Sequence, residues 1–164
     1  MNKEALFKDL FQANSKKIYH LCYGYTGDAD SANDLLQETF LKVWQNLDKF
    51  RNQALISTWI YRIAVNTCLS WLRSEKRQAK DEITDTIIEN TCEEFSGKQE
   101  QVASLYQCIA KLQENERIII TMVLDEVPYP EIAQISGISE GNLRVKIHRI
   151  KQKLTELYNQ HERF

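Results

Sequence analysis

One stretch of the chain carries cationic and polar side chains at a spacing that suits contacts to phosphates and bases. Its residues recur at i, i+4, i+8, i+11 and i+15, a spacing that an α-helix places on one side. We call this set the basic face: Arg62, Asn66, Ser70, Arg73 and Arg77. Arginines neutralise phosphates, and an amide can hydrogen-bond a base edge. No acid interrupts the set, whereas a solvated helix face normally mixes signs.

The helix that would carry the basic face also has an apolar side. Ser57 or Thr58 could cap its start, and Trp59 and Tyr61 follow at once, where aromatic rings could stack on unstacked bases. A buried stripe is predicted on the opposite side: Ile60, Ile63, Ala64, Thr67 and Trp71. The alternative is a core helix whose outer surface happens to be basic. From this helix alone, the nucleic-acid interpretation and the core interpretation are about equally favoured.

A second helix, beginning at Asp30 or Ser31, has more apolar residues than its core needs. Its predicted core stripe is Ala32, Leu36, Thr39, Phe40, Val43, Leu47 and Phe50. Outside that stripe lies a set that we call the α2 patch: Asp34, Gln37, Glu38, Leu41 and Trp44. Acids and an amide beside a tryptophan are typical of a protein–protein hot spot. Packing of Trp44 onto the first helix explains its spacing equally well.

The C-terminal part has the spacing of a helix-turn-helix. Ala133 and Gly137 allow two helices to cross closely, Gly137 makes the turn, and Ser139 caps the final helix. The outward positions of that helix would enter a major groove: Asn142, Arg144, Val145, His148, Arg149 and Lys151. The alternative is a pair of packed helices with a basic surface.

These segments require an all-α fold of two small helical domains. Pro and Gly number only 2 and 5, and helical periodicity runs through almost the whole chain. The first helix is predicted from about Lys3 to Tyr23, with Asn14 as a point where it could break. We predict domains at residues 1–77 and 101–164, joined by a flexible acidic linker at 78–100 with a short helical turn at Asp85–Glu89.

Charge is segregated along the chain, although the net charge is only -2. Residues 81–100 hold seven acids against one lysine, and residues 139–153 hold five bases against one acid. A phosphate backbone responds to such local patches rather than to the average. The four cysteines lack any C-x-x-C pair, which argues against a zinc site and fits packing residues in a reducing cytoplasm. No secretion signal or membrane span is readable.

Three segments together resemble bacterial sigma factors of the extracytoplasmic-function group. They are Asp34–Trp44, Ser57–Thr67 and Glu131–Arg149, in the order and spacing of that family. The resemblance covers residues 5–77 and 101–158. It implies an initiation factor that binds core RNA polymerase and promoter DNA, and that an anti-sigma factor controls in the cytoplasm. It implies no catalytic residue, cofactor, metal, small-molecule substrate or membrane insertion.

The resemblance also assigns roles to residues. The α2 patch would dock the clamp of polymerase, and the loop from Phe50 to Ile56 would read the -10 element with the helix that follows it. There Asn66 would hydrogen-bond a flipped base, and the cations of the basic face would hold phosphates. The Trp59 and Tyr61 rings would pack against the junction between duplex and melted DNA. The final helix, from Ser139 to Lys151, would read the -35 element.

Two features depart from the family pattern. Many relatives carry Gly and Ser where this chain has Glu126 and Pro128, which puts in doubt the usual capping of the first helix-turn-helix helix. Val145 stands where many have Ser, so base preference at the -35 element can differ. The rival function is a stand-alone helix-turn-helix regulator, which leaves the α2 patch and the basic face without a role. An enzyme is disfavoured because the histidines are scattered and no phosphate-binding glycine loop occurs.

Overall fold

The computed structural model describes residues 2–81 and 97–162, and within these the side chains of 76–81, 97–99 and 162 are left out. The described residues form seven α-helices and one 3-10 turn and contain no strand, which confirms the all-α prediction. The helices are α1 Lys3–Thr26, α2 Ala29–Asn46, α3 Ile56–Asp81, α4 Gly97–Ile109, α5 Glu114–Leu124, α6 Tyr129–Ser136 and α7 Glu140–Glu162. The predicted turn at Asp85–Glu89 lies outside the described residues. No described helix is long and apolar enough to cross a membrane.

Helix α1 is continuous, so the break considered near Asn14 is wrong. The Asn14 side chain is buried and its Nδ2 donates to the Leu10 carbonyl oxygen at 2.9 Å. That bond satisfies the amide inside the helix, where an unpaired polar group would be costly. The helix ends at Gly27, whose φ of 71° is the left-handed conformation that glycine adopts without strain.

Helix α2 begins at a cap that lies slightly upstream of the predicted start. The Asp28 carboxylate accepts hydrogen bonds from the Ser31 hydroxyl at 2.7 Å and the Ser31 amide at 3.0 Å. These bonds hold the pKa of Asp28 below its usual value. Leu35 is fully buried although it was not predicted to be, whereas the predicted Leu36 is only half-buried. Ala32, Thr39, Phe40 and Val43 are buried as predicted, whereas Leu47 and Phe50 lie beyond the end of α2 and Phe50 is only half-buried.

Helix α3 completes the first unit by packing against α1 and α2. The predicted cap at Ser57 or Thr58 is wrong, because the helix begins at Ile56 and the Trp59 amide bonds the Leu55 carbonyl at 3.1 Å. Thr58 is fully buried instead. On the core side the thiols of Cys22 and Cys68 lie 3.9 Å apart, both without exposure, as the packing role predicted for cysteine requires.

Helices α4 to α7 form the second unit around a core of isoleucines and leucines. Glu116 lies in the first turn of α5, and its Oε2 accepts from the Gln113 amide at 3.1 Å, while its Oε1 lies 2.7 Å from Lys153 Nζ on α7. Burial alone would raise the pKa of Glu116, but the Lys153 and Gln113 bonds outweigh it and hold that pKa below its usual value. This cluster fastens the C-terminal half of α7 to the start of α5.

The turn into α6 is closed by backbone bonds alone. Glu126 has a φ of 61°, and the Val127 amide reaches back to the Met122 carbonyl at 3.1 Å, a Schellman closure of α5. Pro128 then precedes α6 and provides no side-chain cap hydrogen bond. The doubt about side-chain capping at this helix is therefore confirmed, and a non-glycine residue occupies a left-handed position.

The two units pack against each other, α1 on α5 and α3 on α6. At Gly24 of α1 the two helices come so near that a Cβ atom would stand 2.5 Å from Thr121 Oγ1 of α5. Only glycine lets the two helices come this near. We call this packing of the units the closed arrangement.

Candidate nucleic-acid and protein interfaces

The basic face lies on the outside of α3 as the spacing requires. Arg62, Asn66, Ser70 and Arg73 are all exposed, while the residues between them turn inward. Arg77 belongs to the same helix, but its side chain lies outside the described residues. From Arg62 to Arg73 the helix rises about 16 Å, at roughly 1.5 Å per residue. The described part of this face therefore offers two fixed cations with an amide and a hydroxyl between them.

The aromatic residues at the start of α3 differ in exposure. Trp59 is half-buried and its ring lies 5.1 Å from that of Phe50, the first residue of the loop. Leu55, in that loop, is 60% exposed. Tyr61 is only 3% exposed, and burial raises the pKa of its hydroxyl. Trp59 and Phe50 thus form a ring pair at the surface, whereas Tyr61 is out of reach of DNA in the closed arrangement.

The first cation of the basic face contacts the second unit. Arg62 Nη2 donates to the Gln134 carbonyl oxygen of α6 at 3.3 Å. Asn66, Ser70 and Arg73 lie further along the helix and remain exposed. The structure therefore brings the N-terminal end of the basic face against the first helix of the helix-turn-helix.

The α2 patch is exposed at four of its five positions. Asp34, Gln37 and Glu38 face solvent, and Leu41 is 56% exposed. Glu38 pairs with Lys42 one turn later at 3.1 Å, an exposed contact that contributes little to stability. An apolar side chain left in solvent among acids and amides has the composition of a protein-docking surface.

Trp44 takes part in an aromatic cluster between α1 and α2. Its ring meets Phe7 edge-on at 5.3 Å, and Lys3 Nζ stands 4.5 Å over its face. Phe11 packs on Phe40 at 4.8 Å and stays 40% exposed. Trp44 is half-buried, so it packs on the first helix and still contributes to the surface. Sequence reasoning missed Phe7 and Phe11, although their i, i+4 spacing was a usable signal.

The outer face of α7 is exposed and rich in bases. Ser139 caps the helix, since its hydroxyl accepts from the Asn142 amide at 3.2 Å, as predicted. All the outward positions are exposed, with Val145 at 52%. Arg144 is held by Glu140 at 3.1 Å and lies 5.3 Å from the centre of the Tyr129 ring. Its guanidinium is therefore oriented before any ligand arrives.

Family comparisons match both units of the chain. Residues 10–78 match Sigma-70 region 2, and residues 103–154 match Sigma-70, region 4. Among similar proteins is the ECF RNA polymerase sigma factor SigW of Bacillus subtilis, 30% identical, with 90% of this chain and 86% of that protein aligned. The ECF RNA polymerase sigma-E factor of Escherichia coli strain K12 is 31% identical, with 84% and 78% aligned.

Two solved structures share the fold. One is the sigma factor RpoE in complex with the anti-sigma factor NepR from Bartonella quintana, with a TM-score of 0.75, 21% identity, and 93% of this chain and 96% of that chain covered. The other is CnrH in complex with the cytosolic domain of CnrY, with a TM-score of 0.73, 20% identity, and coverage of 97% and 90%.

Proposed function

The chain belongs to the ECF RNA polymerase sigma factors, the initiation factors that direct polymerase to promoters, and we propose the following division of labour among its surfaces. Residues 1–77 bind core polymerase and open the -10 element, residues 101–164 read the -35 element, and 78–100 link them. The observation that carries this proposal is the presence of two separate exposed basic helix faces, on α3 and α7, together with an exposed patch on α2.

At the -10 element the basic face of α3 holds the melted strand. Arg62 and Arg73 neutralise phosphates, and Asn66 lies between them, where an amide can bond the edge of a base. The Trp59 and Phe50 rings supply an apolar wall beside the loop. Extracting a base from the stack costs a few kcal/mol, and these contacts must offset that cost.

At the -35 element α7 lies in the major groove. Arg144 and Arg149 are the residues able to form paired hydrogen bonds to guanine, and Lys151 suits a phosphate. Val145 presents an apolar side chain that can contact a thymine methyl group. Asn142 and His148 complete the polar surface that faces the bases.

The α2 patch docks polymerase. Leu41 and the exposed part of Trp44 provide apolar area, and Asp34, Gln37 and Glu38 surround them with acceptors. Two modules that bind one promoter through one polymerase act bivalently, so neither requires high affinity alone. Weak separate binding also makes the chain easy to sequester, and the relatives solved in complex with anti-sigma factors support such a partner for this chain. A cytoplasmic location follows from these partners.

The proposal is tested by transcription in vitro. Purified chain and core polymerase are incubated with a pool of promoter fragments, and the start sites are sequenced. We expect starts at a shared pair of elements that polymerase alone does not use. The stand-alone regulator predicts instead tight, selective binding to duplex DNA without polymerase and no new starts, and that result would refute the proposal.

A further inference from the structure

We propose that Tyr129 is a positioning residue for promoter recognition: its ring holds the Arg144 guanidinium in the orientation that reads one base pair of the -35 element. This inference rests on the proposed function of α7. It assigns a specificity role to a residue of α6 that is not among the predicted contacts to DNA. Tyr129 acts through Arg144 rather than by touching a base.

The Tyr129 ring is carried by a backbone segment that two prolines constrain. The chain has only two prolines, Pro128 and Pro130, and they lie on either side of Tyr129. The proline ring fixes φ, and Pro128 has a φ of -59° and a ψ of 141°. The amides of Glu131 and Ile132 both donate to the Pro128 carbonyl oxygen at 3.0 Å. The half-buried Tyr129 ring packs against the hydrophobic core, so the fold fixes its position before DNA binds.

Arg144 of α7 lies over this ring. Its Cζ atom is 5.3 Å from the ring centre, within the roughly 6 Å at which an aromatic face attracts a guanidinium. Its Nη2 also lies 3.1 Å from Glu140 Oε1, but the two side chains of that ion pair are 62% and 45% exposed. An exposed ion pair is screened by salt and holds its geometry weakly. The ring, which the core and the prolines anchor, is therefore the firmer of the two supports.

An oriented arginine favours one base over the others. The planar fork of the guanidinium matches the O6 and N7 acceptors of guanine. An arginine that is not held can turn to a phosphate, and a phosphate contact contributes equally to every sequence. Holding Arg144 in advance also reduces the conformational freedom that it loses on forming paired bonds. Arg149 is exposed too, but among the described residues it has no ring or carboxylate contact, so it serves as an internal comparison.

The orientation of Arg144 is measured in the full chain without DNA or polymerase. Nitrogen NMR relaxation of the arginine Nε–H groups reports how rigidly each guanidinium is held on the fast timescale. We expect Arg144 to be more ordered than Arg149 in wild type. Tyr129→Leu should lower the order of Arg144 towards that of Arg149, whereas Tyr129→Phe should retain it because phenylalanine keeps the aromatic face. Unchanged order of Arg144 in Tyr129→Leu would overturn the proposal.

Base preference is measured with the full chain bound to core polymerase. The probe is a promoter fragment recovered in the transcription test, with its -35 segment randomised, and the bound fragments are sequenced. Arg144→Ala and Arg149→Ala each identify the base pair that depends on that arginine. At the Arg144 base pair, Tyr129→Leu should lower the preference for the favoured base by about two- to five-fold, the effect expected for an exposed cation–π contact. Preference at the Arg149 base pair should not change, and Tyr129→Phe should match wild type at both.

The same data separate positioning from two other roles of Tyr129. A role in folding alone makes Tyr129→Leu lose affinity for all fragments with no change in preference. A hydroxyl bound to a phosphate makes Tyr129→Phe lose affinity for all fragments. Either result, without a lower preference at the Arg144 base pair in Tyr129→Leu, would overturn the proposal.

A double variant tests whether Tyr129 acts through Arg144. Adding Tyr129→Leu to Arg144→Ala should cause no further change at the Arg144 base pair, and a further change would contradict the proposal. If Arg144→Ala itself changes no preference, the proposed function of this arginine fails and the role of Tyr129 fails with it. A change in Arg144→Ala that is absent in Tyr129→Leu refutes the role of Tyr129 alone.

Discussion

Lys153 Nζ lies 2.7 Å from Glu116 Oε1 and thereby joins the C-terminal half of α7 to the first turn of α5. The Glu116 carboxylate is 10% exposed and also accepts from the Gln113 amide, so its negative charge stabilises the folded state. The Arg144–Glu140 pair on the same helix is much more exposed and follows the usual rule that surface pairs contribute little.

The Glu116 contact predicts an acid-sensitive contribution to stability. Its folded-state pKa is depressed, so the contribution is present above the unfolded pKa of about 4.3 and is lost as the pH falls through the folded value. Glu116→Gln should lower the free energy of unfolding by about 1–2 kcal/mol at pH near 7 and by little in acid. Urea titrations at both pH values measure this. Glu140→Gln is the control, and an equal loss there would contradict the prediction.

Trp44→Ala should affect both polymerase binding and stability, because the residue is half-buried. We expect binding to core polymerase at least about ten-fold weaker and a stability loss of about 2 kcal/mol from the lost contacts with Phe7 and Lys3. Leu41→Ala removes only exposed area and should weaken binding while leaving thermal unfolding unchanged. Fluorescence binding and thermal melts separate the two, and unchanged binding in both variants would refute the docking role.

Asn66→Ala should weaken promoter opening while polymerase binding stays intact. Loss of one base-edge contact is worth about 1–3 kcal/mol, or about ten-fold or more in open-complex formation. Permanganate footprinting of melted thymines measures opening, and Asn159→Ala supplies an exposed control at the far end of α7. Loss of polymerase binding in Asn66→Ala would contradict its assigned role.

Glu126→Gly should stabilise the second unit. The left-handed conformation costs a non-glycine residue about 1–2 kcal/mol, and glycine regains most of that but adds about 0.4–1 kcal/mol of unfolded-state entropy. A net gain of about 0.5–1 kcal/mol is expected in urea unfolding. Glu126→Ala should show no gain, since alanine also has a Cβ. Equal stability of the two variants would show that the φ of 61° carries no strain.

On α7, two bases should behave differently in the polymerase complex. Lys151→Ala should reduce the salt dependence of promoter binding by about one charge for every sequence. Arg144→Ala should change base preference at one position of the -35 element. Salt titrations on a set of single-base promoter variants test both predictions. An equal loss of affinity for all promoter variants in Arg144→Ala would show that Arg144 contacts a phosphate rather than a base.

Helical periodicity alone predicted the helices and most of their buried sides. It put Ile60, Ala64 and Thr67 inside and Arg62, Asn66 and Ser70 outside, because 3.6-residue spacing fixes sides without any knowledge of the partner. Periodicity did not predict where α3 begins. Thr58, predicted as a possible cap, is fully buried instead.

Contacts between the two units were beyond sequence reasoning. Nothing in the pattern around Gly24 marks it as the point of approach to Thr121, ninety-seven positions later. Tyr61 illustrates the consequence: its place at the start of a basic face predicts exposure, yet it is only 3% exposed in the folded chain. The partner of a surface depends on which elements meet, and local spacing does not encode that.

The paired thiols of Cys22 and Cys68 allow opening of the first unit to be measured by their chemical reactivity. Both sulfurs are fully enclosed, and their mutual hydrogen bond, followed by burial, raises the pKa of Cys68 above the ordinary value. A thiolate is the nucleophile that attacks a maleimide, so neither enclosed sulfur reacts while α1 and α3 stay together. The rate at which a maleimide adds to these two positions, read by mass spectrometry, therefore measures how often the helices come apart in the working protein.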